Sequence, residues 1–360
     1  MSEIVLIDDD ARLLDGLHAA VEARLPDVSI ARWQPGSEDD VAVVFRERVD
    51  DGETVLVATD QDLTAGGLRG FFGATIVRWC QQLAIPVGDF SRRTPQLLPR
   101  DADLFELRIP PNDEDGADYI TATYYGFTEL TAAIAELELD PGTTSLARYL
   151  AHAVQRPHLE SDFALYMARL GNGGTAVAKR IIGSQSTTST GERSPEAAIS
   201  YTLGHYLANV ITRFAGPLLG IDALCAYVGA GVDEGAELTE MFNAALYGGP
   251  FSRLGQLFWR ESVDAVLEDL FGSVTDSADD IGAFHRAAIE TALGRPLTRH
   301  ECARDGCAGT RGGFHCPFTN RPVCVRSDCS VAGSGWIPSG ATSSRVEREY
   351  HDEWAPLLGQ

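Results

Sequence analysis

Lysine is almost absent from this chain of 360 residues: Lys179 is the only one, and arginine supplies the other basic residues. Residues 1–178 therefore have no ammonium side chain to offer a phosphoryl group or a cofactor. No run of 18 apolar residues occurs, which argues against a membrane-spanning helix. The first residues, Met-Ser-Glu and then an apolar segment, do not resemble an export signal. We therefore expect a cytoplasmic protein without a membrane partner.

Several catalytic and nucleic-acid-binding patterns are also missing. The sequence contains no Gly-x-Ser-x-Gly or His-Glu-x-x-His motif and no helix-turn-helix with a basic recognition helix. The net charge is −23, and residues 1–140 carry 28 acidic but only 11 basic residues, a balance that repels nucleic acid. We expect a protein partner rather than a nucleic acid. Enzymatic activity stays open, with a regulatory role favoured.

Acidic residues follow two apolar segments of the N-terminal region. Asp8 and Asp9 come directly after Ile-Val-Leu-Ile, and Asp60 follows Val-Leu-Val-Ala-Thr. Carboxylate oxygens are the ligands that Mg²⁺ prefers, and a bound cation allows a carboxylate to attack a phosphoryl group. The alternative is that the first acids, together with Asp10, cap the N-terminus of a helix.

Apolar periodicity predicts alternating strands and helices in this region. We expect strands at 3–8, 28–33, 54–59, 85–90 and 104–109, and helices at 11–25, 41–49 and 68–83. Strands separated by helices pair in parallel, so the pattern predicts a doubly wound α/β sheet whose ligands bind beyond the carboxyl ends of the strands. Residues 119–127 suit a further strand, and 128–139 suit a helix.

With acids at Asp8, Asp9 and Asp60, and a hydroxyl at Ser91 five residues after a proline, the first 110 or so residues resemble the receiver domain of two-component response regulators. The resemblance implies a flavodoxin-like fold, Mg²⁺ on Asp8 and Asp9, phosphorylation of Asp60 and a switch role for Ser91. It also implies a protein partner such as a histidine kinase or an effector. The lysine of the family is missing, and Arg108 is the nearest cation on the predicted fifth strand.

Three functions remain open from the sequence. The first is an intracellular signal-transduction regulator with a receiver-like input domain, phosphorylated on aspartate, and a helical zinc-bearing output region. The second is a receiver-like protein-interaction scaffold that works without phosphorylation, which the missing lysine motivates. The third is an enzyme regulated by the receiver, with its active site in residues 145–298.

The remainder of the chain predicts a mainly α-helical domain and a short cysteine-rich module. Ser194-Pro195-Glu196 is a strong helix start, because serine caps the helix and proline suits its first turn. We expect three segments: the receiver-like domain at 1–140, the helical domain at 141–298 and the cysteine-rich module at 299–360.

Five of the seven cysteines lie within residues 302–329, a density that favours a metal over disulfides in a cytosolic protein. They are Cys302, Cys307, Cys316, Cys324 and Cys329. Tetrahedral Zn²⁺ takes paired thiolates from short turns. We favour a structural zinc on Cys302, Cys307, Cys324 and Cys329. A set with Cys316 replacing one of these is an alternative, and His300 and His315 are further candidates.

Overall fold

The computed structural model describes residues 2–36, 40–49, 53–64, 71–90, 105–138, 145–168, 195–271, 281–307, 313–332 and 335–356. Two compact units form. The first consists of Met1–Pro157, Leu170–Asn209 and Gly249–Leu254, and the second of His158–Arg169, Val210–Gly248 and Gly255–Gln360. These limits differ from the three predicted segments, because helices of the middle segment are shared between the units and the cysteine-rich segment belongs to the second unit.

A five-stranded parallel sheet forms the centre of the first unit, as predicted. Its strands lie in the order β2-β1-β3-β4-β5. They are β1 Glu3–Ile7, β2 Ser29–Trp33, β3 Thr54–Asp60, β4 Val87–Phe90 and β5 Leu107–Arg108. The order reverses between β1 and β3, and ligands of such sheets bind beyond the carboxyl ends of the strands at this point.

Helices cover both faces of this sheet. They are α1 Ala11–Arg24, α2 Val41–Val49, α3 Gly73–Leu83 and α4 Asp113–Ala135. Odd-numbered residues of β1 such as Val5 pack in one cluster with α2 and α3, while α1 and α4 pack together on the opposite face. Burial on both sides explains the continuous apolar run of β1. Each such buried side chain stabilises the fold by about 1.5–3 kcal/mol.

One prediction for the first unit is wrong: residues 119–127 are helical and lie within α4. Asn112 begins this helix, because its Oδ1 accepts a hydrogen bond from the N–H of Asp115 at 2.8 Å. Acids also fill the first turn, where they meet the positive end of the helix dipole. The cap and the burial of one helix face outweigh the strand preference of the threonine, tyrosine and phenylalanine residues in this segment.

The other described helices and strands follow in chain order. The helices are α5 Leu146–Ala153, α6 Glu160–Met167, α7 Pro195–Tyr206, α8 Ile221–Tyr227, α9 Gly235–Met241, α10 Arg260–Phe271, α11 Ile281–Leu293 and α12 Arg348–Trp354. The strands are β6 Leu218–Gly220, β7 Leu257–Trp259, β8 Phe314–Cys316, β9 Arg321–Val323, β10 Ser330–Val331 and β11 Val346–Glu347. Helix α7 begins at the predicted proline. Within the described residues, every helix is too short or too polar to cross a bilayer.

The second unit packs α8, α9, α10 and α11 around an apolar core that includes Leu224 and Phe258. The cysteine-rich segment joins this core through its backbone. The N–H of Gly231 binds the carbonyl of Thr298 at 2.7 Å, and the N–H of His300 binds that of Gly229 at 3.0 Å. The segment is therefore built into the unit.

Candidate metal centres

Three acids predicted to form a site come together at the carboxyl edge of the sheet. Each of Asp8, Asp9 and Asp60 offers a carboxylate oxygen, and the three oxygens lie within 4.8 Å of one another. The register explains this, because β1 and β3 are neighbours and Ile7 pairs with Thr59, which places the next residue of each strand side by side. All three side chains are buried. Three oxygens at this spacing are suited to a single divalent cation.

Capping of α1 does not account for these acids, because Asp10 serves that purpose. Its carboxylate accepts the N–H of Arg12 at 3.0 Å, and this hydrogen bond lowers the pKa of Asp10. Asp8 accepts the N–H of Asp10 at 2.8 Å and so orients the cap. The two sequence interpretations therefore apply to different residues of the same acidic run.

Electrostatic repulsion from the neighbouring acids acts on Asp60. Burial and the negative charge of Asp8 raise the pKa of Asp60 from 3.8 to about 6, and Asp9 adds to this effect. The hydrogen bond from the N–H of Gln61 to Oδ1 at 2.8 Å opposes the rise. A bound cation would remove the repulsion, so the site favours a divalent metal or a proton.

Helix α3 begins directly against the backbone of Asp60. The N–H of Gly73 donates to the carbonyl of Gln61 at 3.0 Å. A Cβ at position 73 would overlap the carbonyl oxygen of Asp60, so only glycine allows this approach. The start of α3 is therefore packed directly on the loop that carries Asp60.

Arg108, a further predicted site residue, is less closely tied to the acids. The sheet register places Arg108 beside Asp89, and Asp89 beside Thr59, one row away from Asp60. Successive residues of a strand point to opposite faces of the sheet. The row of Thr59, Asp89 and Arg108 is therefore not the row that contains Asp60, the predicted phosphoryl acceptor. The role of Arg108 beside a phosphoryl group stays a prediction. Ser91 lies outside the described residues.

Four cysteine thiols form a second cluster, in the second unit. The sulfurs of Cys302, Cys307, Cys324 and Cys329 lie within 4.8 Å of one another. The sulfur of Cys307 is 3.8 Å from that of Cys324 and 3.5 Å from that of Cys329. A tetrahedral zinc with bonds of about 2.3 Å requires sulfurs about 3.8 Å apart. The donor set and its spacing therefore fit a zinc ion, and these four cysteines can hold a metal.

The same short turn presents both cysteine pairs. The N–H of Cys307 binds the carbonyl of Arg304 at 3.1 Å, and the N–H of Cys329 binds that of Arg326 at 3.0 Å. Both arginines pair with Asp328, at 3.0 and 3.1 Å. The sequence carries a signal for this symmetry that our sequence analysis missed: Cys-x-Arg-x-x-Cys occurs at 302–307 and again at 324–329.

Without a metal, the protonated thiol is favoured at Cys324 and at Cys329. Burial raises the pKa of Cys324 and of Cys329, and the neighbouring thiols contribute to the rise at Cys329. Arg304 partly compensates, because its guanidinium lies 3.9 Å from the sulfur of Cys329. Metal binding at this cluster therefore releases protons, and the affinity for metal rises with pH.

Cys316 and the two histidines are not part of the four-thiol cluster. The buried sulfur of Cys316 accepts the N–H of Glu347 at 3.3 Å, which holds β8 near β11. His300 lies 3.3 Å from the carbonyl of Val323. His315 approaches Asp222 at 3.9 Å, and burial lowers the pKa of both histidines. The structure therefore favours the first of the two predicted ligand sets.

Comparison of the sequence with models of known protein families finds no match, and comparison with curated proteins finds none either. The functional assignment therefore depends on the geometry of the two clusters.

Proposed function

We propose that the chain is a signal-transduction regulator whose first unit is a receiver-like domain that accepts a phosphoryl group on Asp60. The observation that carries this proposal is the meeting of three buried carboxylates beyond β1 and β3. The strand order 2-1-3-4-5 supports it, because flavodoxin-like domains share that order and bind ligands at this reversal point.

The proposed reaction needs one cation and one nucleophile. Asp8 and Asp9 would hold Mg²⁺, which would supply positive charge against the oxygens of the incoming phosphoryl group and favour the ionised form of Asp60. An oxygen of Asp60 then bonds to phosphorus while the bond from phosphorus to the donor breaks, and the donor leaves with the electron pair. With acetyl phosphate the leaving group is acetate. With a histidine kinase it is the histidine nitrogen.

Helix α3 provides a route from this reaction to a partner. Phosphorylation of Asp60 adds charge and three acceptor oxygens at a loop whose backbone contacts Gly73. Because that contact leaves no free space, we infer that the start of α3 moves when the loop does, and that a protein partner reads the change.

We further propose that the second unit, the output part, holds a structural zinc on its four clustered cysteines. An all-thiolate set closes the coordination shell and leaves no position for a reactive water. This zinc would therefore stabilise the fold rather than catalyse a reaction.

A scaffold that binds a cation without phosphoryl transfer is the second candidate. The absence of lysine from residues 1–178 favours it, as does the position of Arg108 one row away from the acids. Both candidates share the divalent ion and differ only in the covalent step.

Incubation of the full chain with acetyl phosphate and Mg²⁺ separates the two candidates. We expect a base-labile mass increase of about 80 Da on the wild type and none on Asp60→Asn. Asp62→Asn is the matched control, because that carboxylate lies in the same loop but binds Thr64 at 2.6 Å instead of joining the cluster. It should keep the adduct.

Mn²⁺ binding, followed by electron paramagnetic resonance, completes this test. Metal binding lost in Asp8→Asn together with an absent adduct in the wild type would support the scaffold. An adduct that persists in Asp60→Asn would show that Asp60 is not the residue that is phosphorylated.

A further inference from the structure

A cavity of about 490 Å³ lies in the second unit, and none of the residues of the two clusters lines it. Small-molecule sites commonly measure about 300–1,000 Å³. Apolar side chains form much of its wall, among them Phe314, Ile337 and Pro338, and hydroxyl groups come from Ser339, Thr342 and Ser344. The only charged side chain among its described lining residues is Arg345. A cavity without acids stands out in a chain whose net charge is −23.

The hydrogen bonds of Arg345 all go to neutral groups. Its Nε donates to the hydroxyl of Ser330 at 2.6 Å, and its Nη2 lies 3.3 Å from the carbonyl of Val325. The guanidinium also stacks near the ring of Phe314, with 5.2 Å from Cζ to the ring centre. Within the described part of the chain, no carboxylate pairs with Arg345 and its Nη1 has no hydrogen-bond acceptor.

Neighbouring arginines, unlike Arg345, each pair with a carboxylate. Arg304 and Arg326 pair with Asp328, and Arg321 and Arg348 pair with their own acids, Glu347 and Asp352 respectively. Burial lowers the pKa of Arg345, and the charge of the nearby Cys324 sulfur opposes this effect only in part, since the guanidinium has lost water without gaining a carboxylate. A half-buried cation in this condition gains most from an anion that reaches it through the cavity.

A second donor is fixed on the cavity wall. Nη1 of Arg260 donates to Oγ1 of Thr342 at 2.7 Å. Because that oxygen already accepts from a guanidinium, the hydroxyl hydrogen of Thr342 is left to donate elsewhere. The cavity thus combines a guanidinium, a donating hydroxyl and an apolar floor.

We propose that this cavity binds a small ligand with one anionic group, a carboxylate or a phosphate, and a compact apolar body. The anion is bound by Arg345, and Thr342 donates to a second oxygen. The apolar body packs on Phe314 and Ile337. This site is independent of phosphorylation and lies outside the residues of both metal clusters.

Isothermal titration of the full zinc-loaded chain, without added Mg²⁺, tests the proposal. The probes are benzoate and phenyl phosphate, which differ only in the anionic group. Benzyl alcohol and benzylamine are the neutral and cationic controls. We expect at least one anionic probe to bind with a Kd below about 1 mM, and benzylamine to show no binding. The stronger anion identifies the preferred head group.

Two variants probe different features of the site. Arg345→Gln should weaken binding at least about tenfold by removing the charge-assisted hydrogen bonds. Ser339→Trp places a large ring at an exposed part of the lining without altering the contacts of Arg345, and should abolish binding by filling the cavity. Arg253→Gln, at an exposed arginine of the first unit that pairs with Glu129, should bind as the wild type does.

Zinc content measured on each variant shows whether the second unit has kept its fold. If Arg345→Gln loses zinc, the binding measured for Ser339→Trp alone decides whether the proposal stands. The proposal is overturned if neither anionic probe binds at about 10 mM, or if binding persists in Ser339→Trp. Asp60→Asn should leave binding unchanged, which keeps this result separate from the proposed phosphorylation.

Discussion

Replacement of Asp60 by asparagine is expected to stabilise the metal-free protein at neutral pH. The pKa of Asp60 is raised from 3.8 to about 6, so the folded protein binds this proton more tightly than the unfolded chain does. A raised carboxyl pKa contributes stability below the unfolded value, and that contribution is lost as pH rises through about 6. Asparagine stays neutral and keeps the Oδ1 acceptor for the N–H of Gln61.

The size of the effect follows from the same values. A tenfold change in an acidity constant is worth about 1.4 kcal/mol, so this rise corresponds to about 3 kcal/mol. Because Asp60 remains 8% exposed, solvent screens part of this energy, and we expect about 2 kcal/mol. For a unit of this size the gain raises the melting temperature by about 4–8 °C. Mg²⁺ at 100 times its Kd stabilises the wild type by about 2.7 kcal/mol.

Thermal unfolding followed by circular dichroism, with and without Mg²⁺, measures both effects. The asparagine variant should exceed the wild type at about pH 7.5 without metal, and the gap should close near pH 4. Hydrogen exchange in peptides covering β1 and β3 shows whether the change is local. A variant that melts at or below the wild type at neutral pH, or that gains equally from Mg²⁺, would refute the reasoning.

Three further changes test other parts of the structure. Cys307→Ser should remove the bound zinc, measured by plasma mass spectrometry, whereas Cys316→Ser should retain about one equivalent; equal loss would contradict the ligand set. Gly73→Ala should destabilise the first unit by about 1–3 kcal/mol, because its Cβ overlaps a backbone carbonyl, and urea unfolding would show no change if this contact is absent. Hydrogen bonds from Arg295 lower the pKa of Glu234 to about 2, so Glu234→Gln should lower the melting temperature at neutral pH. Stability from a lowered carboxyl pKa is present above 4.5 and is lost as pH falls through about 2, so this difference should shrink in acid, and a constant gap would exclude the ion pair as its cause.

The parallel sheet could be predicted because its signals are local. Strand β1 is a continuous apolar run, and its acids follow directly at the end where parallel strands meet. Helix α2 was predicted at its observed bounds, 41–49. Neighbouring parallel strands that are joined by helices allow few topologies. The proximity of Asp8 and Asp60 could therefore be predicted from the order of the strands in the sequence and the rules that govern their connections.

Other features depend on contacts that a linear pattern does not contain. The strand-like composition of residues 119–127 is overridden by burial along α4 and by the cap at Asn112. Spacing alone left Cys316 as an alternative ligand, because only the folded hairpin shows its sulfur directed to the N–H of Glu347. The position of Arg108 relative to the acids could not be predicted, because it depends on the register of β5, which the sequence does not specify.

The hydrogen bonds between residues 298–344 and residues 215–231 have a consequence for the folding of this protein in the cell. The hydroxyl of Ser344 accepts the N–H of Ala215 at 2.8 Å, and Thr298 and His300 bind the loop after α8. A chain that emerges from the ribosome can complete this unit only after residues 298–344 have been made. With the proposed zinc on the four cysteines, metal supply at that moment would favour the finished domain over proteolysis.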